Sequence, residues 1–525
     1  MAKAPAKPPK SNRKPSLALP KASRGTSGKA TTAGKVTGKK TAAGKVAGKQ
    51  PAGGKVAGAK SGGRTAGTKR TGKKARSAPR AAASAKVPKD LVVKGEDGAT
   101  MRHVEQRFGR FANKNTFWRH TQNGTMAEFD AAFDAAVVRL RAGLGASHPL
   151  VIAGRDVTLA KTFDTVSPAD TGLRIGTWAA GTPVHARDAI AAAHAGFAAW
   201  SSKPWTERVA VIEKAGALFT EHFYDLCAVM CLEAGKSRYE ASIDVDEAID
   251  FLRFYALNVR EMRGFDMEMG HPVPTEDCFS VRRAWGVFAV ICPFNFPVAI
   301  TTGMTAAALL MGNTVVLKPS GKGCLSGWWV FTLLRKAGVP AGALHFLTGA
   351  DHGVSTELLE SHDVDGLLLT GSKRVGFRAM EQAAKGPKPK PIIAEMGGKN
   401  AIVISDKADL DKAVQGVFRE EFFMPFCAIA EVDSFEAGIR EANMVEYGLT
   451  AGCFSEDKAE VQRFFDTVEA GVCYANRAAG GCTAAVVNGQ SFVGWKNSGT
   501  TGHGAGGRYY LLQFTREQSR TVAHG

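Results

Sequence analysis

Apolar residues at Phe129, Phe133, Val137 and Leu140 recur every three to four positions and predict a helix there. Residues 185–262 read as mostly helical, with Ile249, Leu252, Tyr255 and Val259 on one face. From Val287 the pattern changes to short apolar runs that alternate with helical stretches. Strands are predicted at 287–291 (VFAVI), 314–318 (TVVLK), 344–348 (LHFLT) and 366–370 (GLLLT), with helices at 301–311 and 325–337. Runs that are apolar at every position predict parallel strands covered by helices on both faces, hence an α/β fold. In such sheets ligands sit beyond the carboxyl ends of the strands. Chemistry is therefore expected at 293–297, 318–320 and 370–372. Residues 285–317 carry no charge over 33 positions, long enough for a bilayer span. Pro293, Asn295, Pro297, Gly312 and Asn313 cut that stretch into pieces too short to cross, so no membrane segment is expected.

Composition changes the picture at one end only. The chain of 525 residues is 44% hydrophobic and 22% charged, ordinary globular values. Its net charge of +19 is unevenly placed: residues 1–89 hold 24 Lys and Arg and no acid. The remainder has 44 basic and 49 acidic residues, a net of −5. Residues 31–60 are three near-copies of one unit, TTAGKVTGKK, TAAGKVAGKQ and PAGGKVAGAK. Nothing large and apolar recurs in them, so residues 1–89 are predicted to be a disordered basic tail. Lysine at this density attracts polyphosphate by counterion release without reading sequence. The tail resembles the Lys/Ala/Pro tails of linker-histone-like proteins, and nonspecific nucleic-acid contact through residues 1–89 is one reading. A solvated extension with no partner is the other. A mitochondrial transit segment is Arg-rich and amphipathic, which fits less well, so a cytoplasmic location is expected ahead of the mitochondrial matrix. Nine dispersed cysteines, with no CxxC pair or zinc spacing, argue against a disulfide framework or a metal site and point to a reducing compartment.

Several motifs then occur in order: ICPFNFP (291–297), NTVVLKPS (313–320), LLLTGSKRVG (367–376), AEMGGKN (394–400) and EEFFMPF (420–426). Together they resemble the aldehyde dehydrogenase superfamily over roughly residues 125–525. EAGKSRYEA (233–241), DVDEAIDFLRFYA (244–256) and GWKNSGTTGHGAGGRYYLLQF (494–514) are similar to the branch that oxidises L-glutamate γ-semialdehyde, the open form of 1-pyrroline-5-carboxylate, in proline degradation. The resemblance implies a Rossmann-type NAD-binding domain with a helical N-terminal region (90–395) and a catalytic domain shortened here (396–485). A C-terminal segment (486–525) would complete the cofactor region and an oligomerisation tail near 509–522, implying a homo-oligomer.

The resemblance also assigns roles. Asn295 would donate to the oxyanion, and a neutral amide suits that task. Glu395 would activate water, and its apolar neighbours Ile392, Ile393 and Met396 should raise its pKa by desolvation. Lys318 would hold the adenosine ribose, Ser372 the pyrophosphate, and Glu421 and Phe423 the nicotinamide ribose and ring. An acidic residue often follows the KPS and grips the ribose; Gly321 and Lys322 stand there instead, which would weaken NAD or admit the 2′-phosphate of NADP. The small aldehyde substrate would meet backbone N–H groups at Ala484 and Ala485 and the hydroxyl of Ser498. Ala484 and Val493 each replace a glycine of the family pattern and add bulk there.

One element is absent. In the family a long segment with a Gly-Gln-x-Cys turn separates the two glutamate motifs, yet Glu395 and Glu421 are only 26 positions apart here. On the order of a hundred residues, a domain-scale unit, would have been lost with the nucleophile. Cys227 and Cys231 read as helix core, and Cys292, Cys427, Cys453 and Cys473 fall in or beside apolar strand runs. Cys482, near the carboxylate region, is the least unsuitable substitute. None sits in a turn that would lower its pKa, so little or no aldehyde oxidation is expected.

Overall fold

The computed structural model of the chain describes residues 111–409, 429, 431–477 and 486–524. The basic tail therefore lies outside the described residues, as do Glu421, Phe423, Cys427, Cys482, Ala484 and Ala485.

The stretch from 183 to 261 is four successive helices: Pro183–Ser201, Trp205–Glu221, α1 (Phe223–Ala234) and α2 (Arg238–Glu261). Gly235 ends α1 in the left-handed region at φ 71°, where the missing Cβ makes that turn inexpensive. Lys236 follows, and Ser237 at once opens α2 with a capping box to Glu240. Two helices therefore abut with Lys236 fixed at the joint.

A seven-stranded sheet lies at the centre, built from β1 (Leu150–Ile152), β2 (Arg155–Val157), β3 (Val287–Ile291), β4 (Thr314–Lys318), β5 (Leu344–Phe346), β6 (Gly366–Thr370) and β7 (Ile392–Glu395). The order is β7-β6-β3-β4-β5-β1-β2. Strands β3 to β7 are mutually parallel, with Ile291 opposite both Lys318 and Leu369, and Thr370 opposite Glu395. The order in which successive strands are added reverses between β3 and β6, which is where an open α/β sheet leaves a crevice. The sheet is not purely parallel. β1 and β2 form an antiparallel hairpin on the β5 edge. Ala153 and Gly154 turn it at φ 51° and 74°, the backbone a two-residue hairpin needs.

Burial on both faces explains the apolar runs. Phe288 and Val290 point into one core with Val315, Leu317 and Phe346, under α4 (Cys324–Ala337). Val287, Ala289 and Ile291 point into the other, with Val316, Leu367 and Leu369. The uncharged stretch resolves into β3, a turn, α3 (Ala299–Leu310) and β4. Among the described residues no helix is long and apolar enough to cross a membrane.

A second, smaller parallel sheet follows in the order β8 (Ala401–Ile404), β9 (Thr450–Phe454) and β10 (Val472–Ala475). It closes on Phe435, Ile439 and Phe464 from two helices. A ribbon pairs Glu276–Ala284 with Thr515–Ala523 over nine positions, and the second strand is exposed from Arg516 to Ala523.

Candidate functional site

Asn295 and Ser372 follow β3 and β6, and Lys318 and Glu395 end β4 and β7, all at the carboxyl edge of the large sheet. The fold thus brings four sequence-assigned residues to one edge, beside the β3/β6 reversal.

Asn295 lies on the turn between β3 and α3, half-buried, and its amide makes no hydrogen bond among the described residues. Its two N–H donors remain available to a ligand oxygen. Lys318 is 7% exposed. Its ammonium donates to the Pro319 carbonyl at 2.8 Å, and desolvation lowers its pKa. A buried ammonium with one protein acceptor retains donors for ligand hydroxyls at the end of β4.

The N-termini of the helices that follow β4 and β6 differ. That of α4 is already filled: the buried Glu233 carboxylate accepts from the backbone N–H of Leu325 at 2.6 Å and of Ser326 at 2.8 Å, and from the Ser326 hydroxyl at 2.6 Å. Desolvation raises Glu233 to about 7 despite those bonds. The start of α5 (Lys373–Ala384) is open. Ser372 is its N-cap with no side-chain capping bond, and the first turn holds Lys373 and Arg374 and no acid. An anion is favoured there by the helix dipole and the unpaired first-turn N–H groups. Glu233 escaped sequence reasoning as a site-shaping residue, although a glutamate closing the apolar run CAVMCLEA was a visible signal.

Glu395 is held from two sides. β6 pairs with β7 on one flank, and residues 494–500 run along the other, where Met396 N–H donates to the Ser498 carbonyl at 2.8 Å. One carboxylate oxygen accepts the Gly494 N–H at 3.1 Å. Desolvation outweighs that bond and lifts Glu395 to about 8. The carboxylate form of Glu395 therefore grows as pH rises toward 8. Val493, the bulky departure from the glycine pattern, is buried against Gly504.

Ser498 is bonded within the fold. It is fully buried, its hydroxyl donates to the Gly397 carbonyl at 2.8 Å, and it accepts the Gly448 N–H at 3.1 Å. The hydroxyl is committed to the fold and ties the segment beyond Glu395 to residues 447 and 448. The assignment as a carboxylate donor rested on motif order, which cannot tell a ligand hydroxyl from an internal staple.

Six of the described thiols are held above their ordinary range by burial. Burial pushes Cys227 well above its ordinary range, Cys231 to about 11, and Cys292 and Cys453 each to about 12. Cys324 and Cys473 are raised by the same cause. Cys278 lies on the Glu276–Ala284 ribbon, outside the large sheet.

Comparison with known proteins agrees with this architecture. The model of the "Aldehyde dehydrogenase family" matches residues 156–420 and 415–520. A curated 1-pyrroline-5-carboxylate dehydrogenase of Geobacillus sp. (strain WCH70) is 27% identical over 500 positions, covering 75% of this chain and 96% of the relative. Bacillus subtilis (strain 168) 1-pyrroline-5-carboxylate dehydrogenase 2 is 27% identical with the same coverage. Among solved structures, a Thermus 1-pyrroline-5-carboxylate dehydrogenase with bound NAD superposes with a TM-score of 0.71 at 26% identity, over 76% of this chain and 97% of that one. Proline utilization A from Bdellovibrio bacteriovorus superposes at 0.72 and 27% identity, but this chain spans only 52% of its length.

Proposed function

Because the chain belongs to the aldehyde dehydrogenase family, we propose that it binds NAD and L-glutamate γ-semialdehyde at the carboxyl edge of the large sheet. The reaction implied is aldehyde, NAD⁺ and water to glutamate, NADH and two protons. The observation that carries this reading is the convergence of Asn295, Lys318, Ser372 and Glu395 on one edge, with Glu395 lifted to about 8. Lys318 and the open start of α5 at Ser372 would hold the ribose and pyrophosphate of NAD, whose oxidised ring supplies a hydride acceptor when bound. Glu421 and Phe423 would complete the nicotinamide end, and backbone at Ala484 and Ala485 the substrate end. Asn295 would orient the carbonyl, and Glu395 would take a proton from water. Lys322, near the Phe294 ring at the β4 end, would let the 2′-phosphate of NADP compete. The names of the relatives support the semialdehyde as substrate.

Turnover needs a thiolate to form the thioester that Glu395 and water then open. We read the chain as lacking it, through a deletion between the two glutamate motifs. An alignment of 500 positions engages only 75% of this chain but 96% of the relative, so on the order of a hundred of the relative's positions, a domain-scale length, face no residue here. The test is purified full-length chain, assayed for NAD binding by calorimetry and for NADH formation from the semialdehyde. Binding with little or no sustained turnover is expected. Robust turnover abolished by Cys482→Ser would overturn the loss of the nucleophile. No binding of NAD or NADP would overturn the site.

The charge partition favours a second reading, in which residues 1–89 bind duplex nucleic acid or another polyphosphate nonspecifically while the body keeps only its cofactor fold. Twenty-four basic residues without an acid support it, as does a body of opposite net sign. Binding to duplex DNA should weaken steeply with salt and vanish on removal of residues 1–89. Binding that survives that removal would refute it. We place the protein in the cytoplasm. The exposed Thr515–Ala523 strand, at the edge of its sheet, supports a homo-oligomer covering that edge, which light scattering would measure.

A further inference from the structure

Among the described residues no disulfide or metal-ligand cluster fixes the turn that carries Asn295, yet an amide donor works only if held in place. Its support comes from an element distant in sequence. Lys236, at the joint of α1 and α2, extends its ammonium over the ring of Phe296, 3.8 Å from the centroid. The same ammonium pairs with Asp244 at 2.8 Å, with only 10% of the lysine side chain and none of the aspartate side chain exposed. The other Asp244 oxygen accepts the Ala299 N–H at 2.6 Å, at the start of α3. Phe296 and Ala299 lie one and four positions beyond Asn295. One buried ion pair therefore grips the turn at two points just past the amide. Lys114 adds a second cation 5.7 Å from the Phe296 centroid, its charge balanced by Glu247 at 2.9 Å.

We infer that Lys236 is a positioning residue for Asn295, acting through Phe296 and, by way of Asp244, through Ala299. The inference rests on the role proposed for Asn295 but concerns how its turn is held. A desolvated cation over a ring is strong enough to bias a turn, and the rigid helix joint at Gly235 to Ser237 fixes where the cation stands. Asp244 contributes twice: it neutralises Lys236 in a site where a lone charge would be costly, and it caps α3 with a charge-assisted bond.

Amide hydrogen exchange on the full-length, ligand-free chain tests this, because it needs no turnover. Lys236→Met should lower protection of amides 294–301 about tenfold, with the β4 and β6 amides unchanged. Lys236→Arg, which keeps both the cation over the ring and the pairing with Asp244, should restore protection to within about threefold of the parent. Unchanged protection in Lys236→Met overturns the inference. So does equal loosening in both variants, which would indicate general damage to the helix joint. Should Lys236→Met not fold, Phe296→Leu removes the ring and leaves the ion pair. It should loosen the same amides, and unchanged protection there overturns the inference. Absence of NAD and NADP binding would count against the proposed site and not against this result.

Discussion

Glu395→Gln offers a test of the site that does not depend on catalysis. The native carboxyl has a pKa of about 8 against an ordinary 4.5, so between those values the folded chain holds a proton that the unfolded chain releases. Stability contributed by this group is therefore lost as pH rises from about 4.5 toward 8. At about 1.4 kcal/mol per pH unit, the loss between pH 6 and pH 8 is roughly 2 kcal/mol. Glutamine keeps the shape and an oxygen for the Gly494 N–H but does not titrate. The difference between parent and variant should then grow by that amount across the window, with the variant the more stable at pH 8. Glu233 and Asp250 titrate near 7 in the same direction, so both proteins will weaken with pH, and only their difference reports Glu395. Urea unfolding followed by tryptophan fluorescence at the two pH values measures it. Parallel losses in parent and variant would refute the desolvated carboxyl.

Three further outcomes follow from local geometry. Cys227, Cys292, Cys324 and Cys453 are buried and raised in pKa, so alkylation near neutral pH should spare them until the chain unfolds; rapid native labelling of any, read by mass spectrometry, contradicts this. Ser498→Ala strands the Gly448 N–H and removes a donor to Gly397, at a cost of roughly 1–3 kcal/mol in unfolding free energy; an unchanged unfolding midpoint would return Ser498 to the ligand. Gly196→Ala would drive a Cβ into the Gly342 carbonyl oxygen, forcing the Pro183–Ser201 helix from the turn before β5. Thermal unfolding should show a loss of roughly 1–3 kcal/mol, and a neutral result would mean the turn yields freely.

Where burial was two-sided and local, the sequence was readable. β3, β4 and β6 coincide with apolar runs because every side chain faces one core or the other. The run at 344–348 overshoots, since Thr348 turns its hydroxyl to the Ala179 carbonyl and leaves the ladder after Phe346. β1 and β2 are three residues each, too short for any period to register. The Glu276–Ala284 strand reads as polar surface, because its partner lies more than two hundred residues away and pairs through backbone. The site divides in the same way. Glu395 was legible, since apolar neighbours in sequence are neighbours on a strand and desolvate it. The commitments of Ser498 and Glu233 were not, because each depends on which backbone groups the fold brings to a short side chain.

That division bears on how a site outlasts its chemistry. Glu395 accepts a backbone N–H and sits at the tip of β7, Glu233 closes α4, and Lys236 and Asp244 close the start of α3. These groups serve the fold and shape the site together, so losing them would cost stability at once. Asn295 is the contrasting case, with an amide that no described residue engages. A nucleophilic thiolate belongs with Asn295 in kind, since reactivity requires access and an unpaired sulfur. A chain that loses the thiolate can therefore keep the edge of its sheet nearly intact. On the function proposed above, recognition of the ligand would use the retained groups and conversion would need the thiolate, so the two would be separable properties of this fold.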